Sequence, residues 1–233
     1  MPAYFVTGTD TDAGKTLATA GLLALARRQG LTTLGLKPVA SGCWLTNAGL
    51  RNSDALALQS RSEPAVTYAV VNPFAFAPAI APHLAAQRDG RDVTLAALAS
   101  HVAPLLEGPQ DLTLIEGAGG WRVPINDSED LSGLAVRLKL PVILVVGLKL
   151  GCINHARLTA EAIHADGLRL AGWIGNLLDA DFATDAALYD ENLATLVCTL
   201  PAPCLGILPR LDAVEEPTRP ESAATCLVLP DDD

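Results

Sequence analysis

The sequence predicts an α/β fold, a three-layer sandwich in which a mostly parallel sheet is flanked by helices. Three observations point to it. Apolar runs of strand length alternate with longer segments of helical spacing, the pattern of right-handed crossover units. Half the residues are hydrophobic yet aromatics are only 4%, so Ala, Leu and Val fill the interior, as in a sheet buried on both faces. The 233 residues suffice for one sizeable core, and without any linker-like stretch 1–233 reads as a single domain.

The first strand, 3–6, ends in a glycine-containing loop, and 15–29 then reads as an Ala- and Leu-rich helix stopped by Gly30. A second strand spans 33–36, followed by a polar loop at 37–49 and a helix from Ser53, read as its N-cap, to about Ser60. Pro73, Pro78 and Pro82 make 70–82 irregular. Next come a helix at 94–106, a buried strand at 112–115, a glycine turn at 117–120 and a helix near 131–138. Strands at 142–146, 170–174 and 204–207 then alternate with helices at 153–165 and 186–197. From Asp212 on, prolines and charges describe a surface-wrapping tail, 212–233, with Asp231, Asp232 and Asp233 solvated.

A formal charge of -10 and a pI near 4.7 exclude non-specific nucleic-acid and anionic-membrane binding, which need a basic surface. An anionic ligand must be captured by a local site. Cys43, Cys152, Cys198, Cys204 and Cys226 are odd in number and form no CxxC pair, which fits reduced thiols in a cytoplasm. The N-terminus lacks a signal-peptide pattern, and the apolar run at 140–148 is too short to span a bilayer. His83, His101, His155 and His164 have no metal-ligand spacing. Cys152 lies near a helix start but has no adjacent base.

In an open parallel sheet, ligands gather at the carboxyl ends of the strands. The first strand delivers GTDTDAGKT, 8–16, where backbone N–H groups and a helix N-terminus can cradle phosphates, Lys15 can neutralise them and Thr16 can coordinate Mg²⁺. Five residues, two of them Asp10 and Asp12, separate Gly8 from Gly14, a deviant spacing. Strand, loop and helix occur in the order of a nucleotide-binding P-loop, against the alternative of a ligand-free glycine turn. The second strand delivers Lys37 and Ser41, and a lysine there is either solvated or a holder of a phosphoryl group or carboxylate. Glu116, directly after a buried strand, sits where a second metal-holding acid lies in P-loop proteins. Asp54 is either a metal ligand or a first-turn aspartate favoured by the helix dipole. Lys149 and Asn176 close the rim.

Five ordered motifs, GTDTDAGKT at 8–16, KPVASG at 37–42, GLRNSDALAL at 49–58, EGAGGW at 116–121 and PVILVVGLKLGCINHARLTA at 141–160, closely resemble the dethiobiotin synthetases, together with the VNPFAFAPAIAPHLAAQ region. The similarity spans nearly the whole chain. It implies an ATP- and Mg²⁺-dependent ligase with a P-loop NTPase-like fold, which closes the ureido ring of dethiobiotin from diaminopelargonate and CO2 or bicarbonate. The resemblance makes Lys37 and Lys15 catalytic, Ser41 a substrate contact, and Thr16, Asp54 and Glu116 the Mg²⁺ ligands. It assigns nucleotide contacts to Asp12, Ala13, Gly14, Lys15, Thr16, Leu17, Asp54, Glu116, Gly117, Ala118, Gly119, Asn176, Leu177, Pro209, Arg210, Leu211 and Glu221. It also implies a homodimer in which Lys149, Gly151, Cys152, Ile153 and Asn154 clamp the substrate carboxylate in the opposite subunit.

Three departures stand out: the apolar Cys43-Trp44-Leu45, Ala79-Ile80-Ala81 before Pro82, and Arg210 where a bulky apolar residue is expected beside the base. The last opens the nucleotide preference. The competing class is a dimeric switch ATPase with a deviant P-loop. Its extra lysine early in the loop is absent from 8–14, and this chain is acidic. A ligase with a glutamine-hydrolysing domain would need more chain than there is.

Overall fold

The computed structural model describes residues 2–231; Met1, Asp232 and Asp233 lie outside the described residues, and with them most of the acidic end read as solvated. In chain order the elements are β1 (Ala3–Gly8), α1 (Lys15–Arg28), β2 (Thr33–Leu36), β3 (Val39–Ala40), β4 (Trp44–Thr46), β5 (Gly49–Arg51), α2 (Ser53–Gln59), α3 (Tyr68–Val71), β6 (Phe74–Ala75), α4 (Pro82–Arg88), α5 (Leu95–Leu106), β7 (Leu112–Glu116), α6 (Ser132–Leu138), β8 (Val142–Leu148), α7 (Cys152–Ala165), β9 (Leu170–Leu177), α8 (Ala186–Thr199), β10 (Cys204–Leu208) and α9 (Arg219–Ala223).

Six strands form one sheet in the order β10-β9-β8-β1-β7-β2, with every neighbouring pair parallel. Alternate residues of a strand point to opposite faces, so a strand buried on both sides must be apolar throughout. All seven residues of β8 are buried for this reason. Phe5, Leu144 and Trp173 meet Leu134 of α6 and Ile163 of α7 on one face. Tyr4, Val6 and Ile143 meet Leu22 of α1 and Leu58 of α2 on the other. β1 is flanked by β7 on one side and β8 on the other, so its carboxyl end opens at the crevice where chain connections diverge.

Three local expectations change. Asn52, not Ser53, is the N-cap of α2: its side-chain oxygen accepts from the Ala55 N–H at 3.2 Å, and Ser53 is the first helical residue. The 37–49 stretch is not a plain loop but holds β3 and β4, with β4 pairing antiparallel with β5. The 70–82 stretch contains the end of α3, the strand β6 paired in parallel with β3, and the start of α4, whose Pro82 sits in the first turn where no N–H is needed. Two- and three-residue strands carry no alternation to read in a sequence.

From Asp212 the chain forms two 3-10 turns, Glu216–Thr218 and Ala224–Cys226, around α9. Ala223, Ala224 and Leu227 are buried, with Ala223 and Leu227 packed in the α1 core. Val228 N–H donates to Leu205 O at 2.8 Å, covering the free edge of β10. Gly206 makes this possible, since its φ is 143° and a Cβ there would run into the Cys226 carbonyl oxygen. Gly206→Ala should cost about 2 kcal/mol and lower the melting temperature by about 4–8 °C, as read by thermal unfolding. An unchanged melting temperature would show that the tail does not depend on this approach.

Candidate active site

The loop leaving β1 is shaped by two left-handed residues, Asp12 at φ 59° and Gly14 at φ 94°. Such turns aim successive N–H groups inward, as an anion requires. Gly14 is needed twice over, because a Cβ there would also run into Asn176 Nδ2 from β9. That same nitrogen donates to the Ala13 carbonyl at 3.1 Å and pins the loop to the sheet. Lys15 folds back so that Nζ donates to Asp10 O at 3.0 Å. Burial, and then the nearby Lys37 charge, lower its pKa to about 8.

Opposite this loop stand the ends of β2 and β7. Glu116 is fully buried, and its Oε1 accepts from Thr16 Oγ1 at 2.9 Å and from Lys37 Nζ at 2.7 Å. Lys37 Nζ also donates to Gly117 O at 2.8 Å and lies 3.3 Å from Asp54 Oδ2, so its three hydrogens meet three acceptors. Burial alone would depress this lysine, but Glu116 and Asp54 outweigh it and the net shift is upward. Lys37 is therefore held as a cation. Glu116 Oε2 is also buried, and among the described residues nothing donates to it. An anionic oxygen left in this state is costly and calls for a cation or donor.

Lys15, Thr16, Lys37 and Asp54 face a cleft of about 840 Å³, while Glu116 is buried behind them and is not part of its lining. Asp12, Lys15, Thr16, Lys37, Ser41 and Asp54 line its polar side, and Ile80, Pro82, Val123 and Pro124 its apolar side. Ala118 and Gly119 also line it, whereas Glu116 and Gly117, which precede them in the chain, do not. Leu17, half-buried, lies in the first turn of α1. No group of three or more His, Cys, Asp or Glu side chains clusters among the described residues, so a metal here would depend on two carboxylates and a hydroxyl.

The other sequence candidates fall elsewhere. Lys149 Nζ lies 3.9 Å from Asp10 Oδ2, across the outer side of the loop. Gly151, at φ 93°, opens α7; Cys152 is buried, Ile153 half-buried and Asn154 exposed, and none of them lines the cleft. Burial pushes the Cys152 thiol up, away from nucleophilic use. Leu177, Pro209, Arg210 and Leu211 lie at the ends of β9 and β10, with Arg210 Nε donating to Asp212 Oδ2 at 2.7 Å. Glu221 is not brought to this rim. Its carboxylate pairs with Arg61 at 3.1 Å and its carbonyl accepts from Arg28 at the last turn of α1, because α9 packs back along that helix. Four cleft residues had no role in the sequence reading: Asn52, hidden by the misplaced cap; Arg122, which follows the recognised EGAGGW stretch and pairs with Asp166 at 2.7 Å; and the apolar Val123 and Pro124 beyond it.

A parallel sheet with such a loop on its central strand defines a P-loop nucleotide-binding protein. Two solved structures share the fold alone: the MinD cell division protein of Aquifex aeolicus, with a TM-score of 0.57 at 17% identity over 97% of this chain and 86% of that one, and a ParA family ATPase of Chlorobium tepidum, at 0.54 and 11% over 97% and 90%. Residues 2–218 match a family described as an AAA domain. The chain is 68% identical over 236 residues to the ATP-dependent dethiobiotin synthetase BioD of Chromohalobacter salexigens, covering all of both chains. It is 60% identical over 212 residues to the ATP-dependent dethiobiotin synthetase BioD of Pseudomonas aeruginosa, covering 91% of each. The chain belongs to the dethiobiotin synthetase family. No described helix is long and apolar enough to cross a membrane.

Lys15 supplies a pH test. In the free protein it is half protonated near pH 8, and a bound phosphate favours the charged amine. Triphosphate binding should therefore take up little proton well below pH 8 and progressively more above it. Calorimetry in buffers of different ionisation enthalpy reads this uptake, and Lys15→Arg should abolish it. Uptake that does not change across pH 8 would contradict the assigned environment.

Proposed function

We propose that the protein is a dethiobiotin synthetase that uses ATP and Mg²⁺ to close the ureido ring of dethiobiotin from 7,8-diaminopelargonate and CO2. One amine adds CO2 as a carbamate, and its oxygen takes the γ-phosphoryl group of ATP to give a carbamic-phosphoric anhydride and ADP. The second amine attacks the carbamoyl carbon, a C–N bond forms, the C–O bond to phosphate breaks, and phosphate leaves. The observation that carries the reading is Lys37, held as a cation by Glu116 and Asp54 at the edge of a cleft that also exposes Lys15. Kinship with enzymes named for this activity supports it.

The reactive anhydride asks the protein mainly for alignment, charge dispersal and exclusion of water. Loop N–H groups and Lys15 grip the phosphates, while Lys37 neutralises the transferring group and the carbamate. Ser41 orients the substrate, and the apolar wall of Ile80 and Val123 excludes water beside its aliphatic chain. Asp12, on the cleft's polar side, serves the metal's waters or the amines of the substrate. Thr16, Asp54 and Glu116 would hold Mg²⁺; they are hard oxygen donors, and the unpartnered Glu116 Oε2 fits a cation. When bound, that ion neutralises charge on the β and γ phosphates. Gly117, Asn176, Leu177 and the segment Pro209, Arg210 and Leu211 take the nucleotide's remaining contacts, with the base among them.

The segment carrying Lys149, Gly151, Cys152, Ile153 and Asn154 serves the cleft of a second copy, where N–H groups at the start of α7 bind the far carboxylate. Its place outside its own cleft and the 88% exposure of Leu150 support a homodimer.

Incubation with the diamine, bicarbonate, ATP and Mg²⁺ should yield dethiobiotin by mass, one per ADP. ATP loss without ring product would reject the reading. Lys37→Gln should cut turnover about a hundredfold while ATP affinity changes far less, and near-normal turnover would remove this lysine from the mechanism.

A further inference from the structure

We propose that Tyr68 and Asn72 are positioning residues, holding Lys37 and the helix of Asp54 at a fixed separation through one hydrogen-bonded chain. The inference rests on the proposed function for the reaction it serves and for Asp54 as a metal ligand. Asn72 Nδ2 donates to the Lys37 carbonyl at 2.6 Å, and Asn72 Oδ1 accepts from Tyr68 Oη at 2.9 Å. Tyr68 Oη accepts in turn from the Asn52 N–H at 2.9 Å. Asn52 Oδ1 caps α2, in whose first turn Asp54 lies, and Asn52 Nδ2 reaches the Ser41 carbonyl at 3.4 Å. The Lys37 N–H closes the set on Val71 O at 2.9 Å, at the other end of α3.

Lys37, Asn52 and Asn72 are all buried, so each of these polar groups depends on its partner rather than on water. A phenol has one hydrogen to give, and here it goes to Asn72 while the oxygen receives Asn52; the direction of the chain is thus fixed. An apolar contact would hold α3 against its neighbours equally well without specifying orientation. What the chain specifies is how the Lys37 backbone sits relative to the cap of α2, and so the 3.3 Å approach of Lys37 Nζ to Asp54 Oδ2. Arg51 stacks over the Tyr68 ring at 4.2 Å but takes no part in these bonds.

Tyr68→Phe keeps the ring and removes the oxygen. Mn²⁺ affinity of the protein bound to a non-hydrolysable ATP analogue, read by the electron paramagnetic resonance of free Mn²⁺, should weaken about tenfold, with a similar fall in kcat. KM for ATP should stay within about twofold, because Lys15 and the first loop lie outside the chain of bonds. Arg51→Ala should change neither quantity. Asn72→Ser, which withdraws the link to Lys37 but leaves Tyr68 on Asn52, should repeat the pattern, and it supplies the reading if Tyr68→Phe does not fold. Unchanged Mn²⁺ affinity and kcat in a folded variant, even one that melts lower, would overturn the proposal. Wild-type protein that binds Mn²⁺ with nucleotide yet makes no dethiobiotin would instead reject the proposed reaction and leave the positioning test standing.

Discussion

The bond between Lys37 and Glu116 is the constraint on which the site depends. Both side chains are withdrawn from water, and each would be costly to bury alone. Replacing such a pair by apolar residues is often neutral or favourable for stability, so its presence here is explained better by what the charges do than by what they hold together. Lys37 is kept cationic at the edge of the cleft, and Glu116 spends one oxygen on Lys37 and Thr16 while the other has no donor among the described residues.

The sheet makes this arrangement possible. Parallel strands end on one rim, so Gly8, Lys37 and Glu116, far apart in sequence, emerge side by side from β1, β2 and β7. Close packing beneath them leaves little freedom, since Phe5 stacks edge-on with Trp121 at 6.0 Å directly under the glycine turn. Asn176 reaches across from β9 to pin the phosphate loop, and the tail covers the β10 edge. Lys37 and Glu116 are thus carried at strand ends and Lys15 and Asp54 in the first turns of α1 and α2, while the apolar wall of the cleft comes from less regular chain.

Much of this was legible in the sequence because long elements repeat their own pattern. The apolar runs of β1, β7, β8 and β9 and the helical spacing of α1, α5 and α7 are several residues deep. The deviant loop also announced itself through Gly14, Lys15 and Thr16. The region 37–82 was legible only in part, because β3, β4, β5, β6 and α3 are too short to show a period. Asn52, Tyr68 and Asn72 act through geometry that only folding brings together. Glu221 enters as a nucleotide contact only through the family resemblance, and the five-residue α9 turns it toward Arg61, a path that no local pattern encodes.

The central claim, that Glu116 joins Lys37, Thr16 and a metal in one unit, is tested most directly by Glu116→Gln. Gln keeps the shape but removes the charge that holds Lys37 and that would receive Mg²⁺. The account predicts a folded protein whose phosphoryl transfer from ATP, followed by labelled phosphate in a single turnover with diamine and bicarbonate, is slower by about a hundredfold and not restored by excess Mg²⁺. Transfer at close to the wild-type rate, with ordinary Mg²⁺ dependence, would contradict it.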